Sequence, residues 1–216
     1  MRTELDKIIA NIKPLCKTAM DEAKKHQAKL AKPPGSLGKL EDISVQLAGI
    51  TGKVHNSIEK KHLLVFAADN GVVAEGVASA PQSVTLKQAI NLTKEKTGAS
   101  VLAAHFGCGI TVCDVGINAD VKNSDVIDKK IAYGTNNIAK GSAMTKEQAI
   151  KAIIIGAGLA KSTDADIIGV GEMGIGNTTT ASAVLSVLLD VDAEKVTGRG
   201  AGITDSDFQK KKDVIK

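Results

Sequence analysis

Aromatic residues are scarce in this sequence. There is no Trp, one Tyr and three Phe, which together make 2% of the 216 residues. Proteins that bind single-stranded nucleic acids rely on aromatic stacking platforms, and few are available here. The net charge of +4 is modest, and the basic run at residues 210–212 is typical of a solvated helix face. The composition therefore argues against a nucleic-acid-binding protein and predicts a core of Ala, Val, Ile and Leu.

Paired cysteines, metal-ligand spacings and long apolar runs are also missing. Cys16, Cys108 and Cys113 form no Cys-x-x-Cys pair and no even disulfide framework, which fits a reducing compartment. The four His lie far apart, without the spacing of a metal-binding helix. No apolar run reaches the length of a membrane span, and the first residues are charged. We therefore predict a soluble, cytoplasmic protein with no metal site, no cofactor and no membrane span.

Short apolar runs alternate with helical stretches along most of the chain. Runs of strand length occupy residues 63–68, 110–115 and 166–170, and residues 126–133 form a further candidate. Strands that alternate with helices are typical of parallel βαβ units with right-handed crossovers. The pattern predicts an α/β fold, a Rossmann-like parallel sheet flanked by helices.

The N-terminal part of the chain has a purely helical pattern. Apolar residues recur at helical spacing over residues 3–31, and again over residues 39–50 after a break rich in Pro and Gly. We therefore predict a small N-terminal helical unit in residues 1–53 and an α/β nucleotide-binding domain in residues 54–216.

The most informative segment is the glycine-spaced stretch GEMGIGNTTTA at residues 171–181, between a predicted strand and a predicted helix. The first N–H groups of a helix lack intrahelical partners and its dipole favours anions, so phosphate is the natural ligand. We expect Gly174 and Gly176 to allow close approach of the backbone to that ligand, and Asn177 or Thr178 to cap the helix. The segment matches neither Walker A nor the dinucleotide fingerprint, which disfavours an oxidoreductase.

Acidic residues follow three of the predicted strands. Asp69, Asp114 and Glu172 are expected to converge, because ligands of open α/β sheets bind outside the carboxyl ends of the strands. For Asp69 and Asp114 a turn or capping role is equally open. An acid beside an anion-binding loop needs a reason to be there, so Glu172 is a functional candidate.

A second glycine cluster occupies residues 197–203 and contains Arg199. This arginine could pair with a phosphate, pair with Glu172, or remain a surface residue. The sequence shows no Ser/His or Cys/His constellation for nucleophilic catalysis. Two glycine loops with adjacent acids therefore indicate group transfer on a phosphorylated sugar, driven by positioning and a carboxylate.

Six segments, taken together, resemble a known family. They are residues 33–41, 67–72 and 75–77, Pro81 and Gln82 with Gln88, and residues 171–181 and 197–202. In this order they closely resemble the nicotinate-nucleotide:dimethylbenzimidazole phosphoribosyltransferases, over nearly the whole chain. The resemblance implies transfer of the 5-phosphoribosyl group of nicotinate mononucleotide to 5,6-dimethylbenzimidazole, which gives α-ribazole 5′-phosphate for cobalamin assembly. It also implies a homodimer, with a heterodimer as the alternative.

The resemblance further implies roles for particular residues. The nucleotide phosphate and ribose would be held by Gly174, Gly176, Asn177 and Thr178, assisted by Gly200 and Gly202. The base pocket would be lined by Ala80, Pro81 and Gln88, with Met173 at its border. Glu172 would be an acid near the ribose or an auxiliary base, and Lys211 would be a phosphate partner.

The chain departs from the family pattern at three places. Asn70 stands where the family usually has His, and Ala80 stands where well-known members have Ser, which removes a hydrogen bond worth roughly 0.5–1.5 kcal/mol. The Gly-Gly-x-Glu segment that carries the family's general base does not occur in these residues. We therefore expect a truncated form with little activity. The alternative is a non-catalytic nucleotide-binding subunit or fragment that needs a partner chain, including a relative that accepts phenols or another base.

Overall fold

The computed structural model describes residues 2–123 and 125–216. Their contacts divide the chain into two units. One unit is Asp6–Glu59, and the other is Lys60–Lys216 together with residues 2–5. In the described part of the chain, no helix combines the length and the apolarity needed to cross a membrane.

The smaller unit is built from helices. From residue 6 onward helix α1 (Arg2–Ala10) belongs to it, and α2 (Lys17–Gln27) and α3 (Lys39–Thr51) follow. Helices α2 and α3 pack through Ala and Val side chains. The prediction of one continuous helix over residues 3–31 is wrong. Pro14 lies in the non-helical segment between α1 and α2, where it supplies no N–H and disfavours a helical conformation at Lys13.

The larger unit is an α/β unit around a parallel sheet. The strands β1 (Lys61–Ala68), β2 (Cys108–Gly116), β3 (Val126–Asp128) and β4 (Ile167–Met173) lie in the order β3-β2-β1-β4. All three pairings are parallel, which confirms the predicted fold class. The candidate strand at residues 126–133 is shorter than expected, because only its first three residues pair with β2.

Helices flank this sheet. They are α4 (Ser83–Thr93), α5 (Gly98–His105), α6 (Lys146–Ser162), α7 (Asn177–Leu189), α8 (Ala193–Val196) and α9 (Asp205–Ile215). A single-turn 3₁₀ helix, Gly71–Glu75, follows β1. The main core packs small aliphatic side chains of α4 against β1 and β2, namely Ala89 and Leu92 against Val65, Ala67 and Val112. Burial of aliphatic side chains thus replaces the aromatic core that the composition excludes.

Strand β4 is longer than the sequence pattern suggested. It continues through Met173, so Glu172 and Met173 belong to the strand and the glycine loop begins only at Gly174. Phe66 of β1 lies beside Glu172 and Ala67 lies beside Met173. The end of β4 is thereby fixed next to the end of β1, and this register positions the loop that follows.

Thr179, in the first turn of α7, provides a test of the packing below the helix. Its side chain is buried, and its hydroxyl oxygen has no hydrogen-bond partner in the described part of the chain. Thr179→Val replaces that oxygen with a methyl group of similar shape. We expect the free energy of unfolding in urea to rise by about 1 kcal/mol, because the desolvation penalty of the hydroxyl disappears.

Thr180→Val is the matched control, since the Thr180 hydroxyl donates to Asn70 Oδ1 over 2.9 Å. We expect this variant to lose about 1 kcal/mol. An equal loss in both variants would mean that the Thr179 hydroxyl is satisfied in solution.

Candidate functional site

The glycine loop lies against the chain that follows β1. A Cβ atom on Gly174 would lie 2.0 Å from the carbonyl oxygen of Ala68. Gly176 has a φ of +87°, and a Cβ there would lie 2.7 Å from Val73 Cγ2. In this structure both glycines approach the polypeptide itself. Their predicted approach to a ligand stays a prediction, while the need for glycine at both positions has a packing reason.

Side chains from two other segments hold Ile175, between these glycines. Asn70 Nδ2 donates to the Ile175 carbonyl over 3.2 Å, and the Ile175 N–H donates to Thr85 Oγ1 over 3.0 Å. The Thr85 hydroxyl in turn donates to Asp69 Oδ1 over 2.7 Å, and Asn118 N donates to Asp69 Oδ2 over 2.8 Å. The backbone of the loop is thus fixed by buried polar side chains.

Asp69 and Asp114 have structural roles at the carboxyl edge of the sheet. Asp69 is buried, and its carboxylate organises the contacts of Thr85 and Asn118. The Asp114 carboxylate accepts from the Gly116 and Ile117 N–H groups and forms an ion pair of 2.7 Å with Lys130. Of the two interpretations that the sequence left open, the structure favours the turn role for both. The Asp69 loop meets the glycine loop directly, through the bond from Asn70 to Ile175.

The N-terminus of α7 has no side-chain cap of the predicted kind. The cap position is Gly176, so the prediction that Asn177 or Thr178 caps the helix is wrong. Asn177 Nδ2 instead donates to both oxygens of Glu172, over 2.6 and 2.7 Å. The reason is the length of β4, which brings the exposed Glu172 carboxylate within reach of the first helical residue. In the first turn, the Asn177 N–H donates to the Gly174 carbonyl and the Thr179 N–H to the Gly176 carbonyl, each over 3.0 Å. The Thr178 N–H has no acceptor among the described residues and is suited to an anion.

A cleft of about 210 Å³ opens beside this helix end. Six of the sequence-predicted residues line it, namely Ala80, Met173, Gly174, Gly176, Asn177 and Thr178. Val77, Ala78, Ser79 and Ile175 add to the same wall, and Arg199, Ala201 and Ile203 line it from the second glycine cluster. The two glycine-rich segments, separate in sequence, therefore face one cleft.

Lys211 lies directly behind the cleft wall. It is 1% exposed, and its Nζ donates to Thr178 Oγ1 and to the Gly198 carbonyl, each over 2.8 Å. Both acceptors are neutral, and no carboxylate among the described residues pairs with this ammonium. Burial lowers the pKa of Lys211. Gly200, with a φ of +62°, leaves room here, because a Cβ would lie 2.7 Å from Thr178 Oγ1.

The remaining predicted residues lie elsewhere. Pro81 lines a neighbouring cavity of about 420 Å³ with Gln82 and Thr135, and Gly202 lies between two lining residues without lining the cleft itself. Gln88 belongs to neither lining, and on α4 its Oε1 accepts from Asn91 over 3.4 Å. No three His, Cys, Asp or Glu side chains of residues 2–123 and 125–216 gather as a metal site.

The contacts of Arg199 decide whether it pairs with Glu172, one of the roles that the sequence left open. It pairs with Asp205, donates to the Ile203 carbonyl over 3.1 Å and stacks on Phe208, rather than pairing with Glu172. Its side chain is 48% exposed, so this ion pair contributes little to stability.

Sequence reasoning missed Thr85, the residue that connects Asp69 to the glycine loop. A signal was present. Thr85 shares a face of α4 with Ala89 and Leu92, at the spacing i, i+4 and i+7, and all three are buried. A lone polar residue on the apolar face of a helix needs a hydrogen-bond partner, which here comes from a strand end.

These features define an α/β protein of the Rossmann-like class, with a helix end that has no side-chain cap at the carboxyl edge of its sheet. A family model described as Phosphoribosyltransferase matches residues 12–216, and the chain belongs to that family.

Curated relatives and solved structures agree with this assignment. The chain is 46% identical over 215 residues to the nicotinate-nucleotide–dimethylbenzimidazole phosphoribosyltransferase of Clostridium tetani, covering 98% of this chain and 59% of that protein. A protein of the same name from Clostridium perfringens strain 13 is 47% identical, covering 98% of this chain and 60% of its own length. The crystal structure of CobT from Thermus thermophilus has a TM-score of 0.87 and 34% identity, covering 92% of this chain and 61% of that one. The chain thus spans about three fifths of the length of these relatives.

Proposed function

We propose that this chain binds nicotinate mononucleotide and serves the transfer of its 5-phosphoribosyl group to 5,6-dimethylbenzimidazole or a related base. The product would be α-ribazole 5′-phosphate, for the assembly of the cobalamin nucleotide loop. The names of the relatives support the two substrates. The observation that carries the proposal is the arrangement of Lys211 behind Thr178, at the open end of α7.

The chemistry of this pair suits a phosphate. A lysine ammonium has only donors, so the Thr178 oxygen must accept from Lys211 and its own proton is free to donate into the cleft. A phosphate oxygen that takes this proton would lie at most about 5.5 Å from the ammonium, given ordinary hydrogen-bond lengths. At an effective dielectric constant of about 20, opposite unit charges at that distance attract by about 3 kcal/mol.

The other wall of the cleft suits an aromatic base. Val77, Ala80, Met173 and Ile203 contribute apolar side chains to the lining. We propose that the base contacts this wall through its faces and edges, with Ala80 offering no hydroxyl. Pro81 and Gln88 would lie at the edge of the base region. Glu172, held by Asn177, would be an accessory acid near the ribose. Gly202 would support the second glycine loop.

We further propose that the protein works in the cytoplasm as a homodimer. A heterodimer with a second related chain is the alternative, and it would accompany a phenol acceptor. Native mass spectrometry of the chain, alone and mixed with a relative, distinguishes the two assemblies.

Calorimetry tests the proposal directly. Nicotinate mononucleotide and nicotinate riboside, which lacks the phosphate, are titrated in turn into the chain. We expect the mononucleotide to bind at least about tenfold more tightly, because only the phosphate engages Thr178 and the end of α7. Thr178→Val is expected to remove about tenfold of mononucleotide affinity by the loss of that donor.

Ser186→Ala is the matched control, since the Ser186 hydroxyl donates to the Val191 carbonyl at the far end of the same helix. Its affinity should equal that of the unaltered chain. Nicotinate released after addition of dimethylbenzimidazole is then measured by chromatography. Turnover supports the whole proposal, and binding without turnover supports a nucleotide-binding subunit. Equal affinity for both ligands, or no binding, would contradict the proposal.

A further inference from the structure

The two peptide groups that flank Ile175 are each held by a residue remote in sequence. Thr85 accepts from the Ile175 N–H, 90 positions away, and Asn70 donates to the Ile175 carbonyl, 105 positions away. These two contacts reach the loop at the point where it has glycine on either side. We call Thr85 and Asn70 the Ile175 clamp.

Asp69 sets the direction of the Thr85 hydroxyl. A carboxylate only accepts, so the Thr85 proton is directed to Asp69 Oδ1, 2.7 Å away. The oxygen of Thr85 is then available only as an acceptor, and it takes the Ile175 N–H over 3.0 Å. Thr85 has no exposed surface, so water does not compete for these bonds. The orientation of one loop peptide thus depends on a buried carboxylate at the end of β1.

The loop has a particular need for such a clamp. Gly174 and Gly176 have the widest conformational freedom of any residue type, and they are the pivots on both sides of Ile175. Gly176 is also the cap residue of α7. Rotation of either peptide group would therefore turn the Thr178 N–H at the start of α7 relative to the cleft.

We propose that Thr85 is a positioning residue for phosphate recognition, acting through Ile175 on the Thr178 N–H at the start of α7. Thr85 itself contacts no ligand. The inference deepens the proposed function and rests on it. Because the clamp would act at the phosphate-binding end of the cleft, its loss should weaken the binding of ligands that carry a phosphate and leave the binding of other ligands unchanged. A residue with only a structural role would weaken all ligands alike or none.

The test compares Thr85→Val, which keeps the shape but removes the hydroxyl, with Thr85→Ser, which restores the hydroxyl. Leu92→Val is the matched control, because Leu92 lies on the same buried face of α4 and packs in the core cluster with Val65 and Val112. Nicotinate mononucleotide, nicotinate riboside and inorganic phosphate are each titrated into the folded variants by calorimetry. Exchange of the Ile175 amide proton is followed by NMR without ligand.

We expect Thr85→Val to weaken binding of the mononucleotide and of phosphate by about tenfold and to leave riboside binding within about twofold. Its Ile175 amide should exchange at least about tenfold faster. Thr85→Ser should restore both values, and Leu92→Val should match the unaltered chain. If Thr85→Val does not fold, Asn70→Ala, which removes the other half of the clamp, is expected to show the same selective loss.

Other results overturn the inference. Unchanged mononucleotide affinity in a folded Thr85→Val or Asn70→Ala variant would do so, as would an equal loss for mononucleotide and riboside. If the unaltered chain binds phosphate in a Thr85-dependent way but not the mononucleotide, the clamp stands and the proposed function falls. If the unaltered chain binds neither ligand, both are rejected.

Discussion

Lys211→Met is expected to weaken nicotinate mononucleotide binding by about 100-fold without destabilising the fold. The loss follows from the estimated attraction of about 3 kcal/mol between the buried ammonium and the ligand phosphate. Thr178 would also lose the partner that directs its proton into the cleft. Calorimetry with the mononucleotide measures the change. Lys212→Met is the matched control, because it removes the same charge from the next residue of α9 and should change the affinity less than about threefold.

The stability of Lys211→Met should move in the opposite direction to its affinity. Lys211 is buried without a carboxylate partner among the described residues, so a methionine of similar length removes a desolvation penalty. We expect the free energy of unfolding at neutral pH to be unchanged or higher. A lower value would contradict this account, since it would mean that the bonds to Thr178 and Gly198 outweigh the burial of the charge.

The pH dependence gives the same prediction an independent readout. The pKa of Lys211 is lowered from 10.5 in the folded protein by burial. Between the folded pKa and 10.5 the unfolded chain retains a proton that the folded chain has released, so the free energy of unfolding rises with pH across that window. Below the folded pKa the penalty is constant. Urea unfolding over this range should show the rise in the unaltered chain and lack this contribution in Lys211→Met.

Gly174→Ala is expected to lower the free energy of unfolding by at least about 3 kcal/mol. The new methyl carbon would lie 2.0 Å from the Ala68 carbonyl oxygen, which belongs to the backbone of the central strand β1 and cannot rotate away. Either the end of β4 or the end of β1 must shift, and the Ile175 clamp would be disturbed in both cases. Urea unfolding, or the soluble yield if the variant does not fold, measures the loss.

Gly171→Ala is the matched control for this substitution. Gly171 lies within β4, before Gly174 of the loop, and a Cβ on Gly171 would lie 3.6 Å from Val65 Cγ2, an ordinary contact. We expect this variant to lose less than about 1 kcal/mol. Similar stabilities for the two alanine variants would show that the ends of β1 and β4 separate readily, contrary to the register of the strands.

The local sequence pattern was sufficient to predict the positions of the strands and of most helices. Leu64 and Val65 lie in an apolar run of strand length, and the sheet they form is parallel, with helices between β1 and β2 and between β3 and β4. The prediction of one helix over residues 3–31 was wrong because the apolar spacing continues on both sides of Pro14. The prediction gave this spacing more weight than the backbone constraint that proline imposes. The predicted cap failed because β4 extends to Met173 and supplies Asn177 with the nearby Glu172 carboxylate.

The sequence predicted which segments form the candidate site, but it did not predict the contacts between them. Glycine spacing indicated the loop, and both glycine clusters face one cleft. The partners of Ile175 could not be read from the sequence, because Asn70 and Thr85 meet it only after the sheet has formed. Lys211 illustrates the same limit. The resemblance implies a phosphate partner, whereas the structure places the ammonium behind Thr178, so it would act on a ligand through space and through the hydroxyl that it orients, without direct contact.

The Ile175 clamp has a consequence for how the protein folds. Its two contacts join residues that are 90 and 105 positions apart in the chain, and the bond from Thr180 to Asn70 joins residues 110 positions apart. Closing a loop of roughly 100 residues costs about 4 kcal/mol in chain entropy, which isolated contacts of this kind do not repay. The loop can therefore become ordered only after β1 and β4 have paired, late in folding. Its ordering marks the completion of the sheet, and a partly folded chain would lack the loop to which we assign phosphate binding.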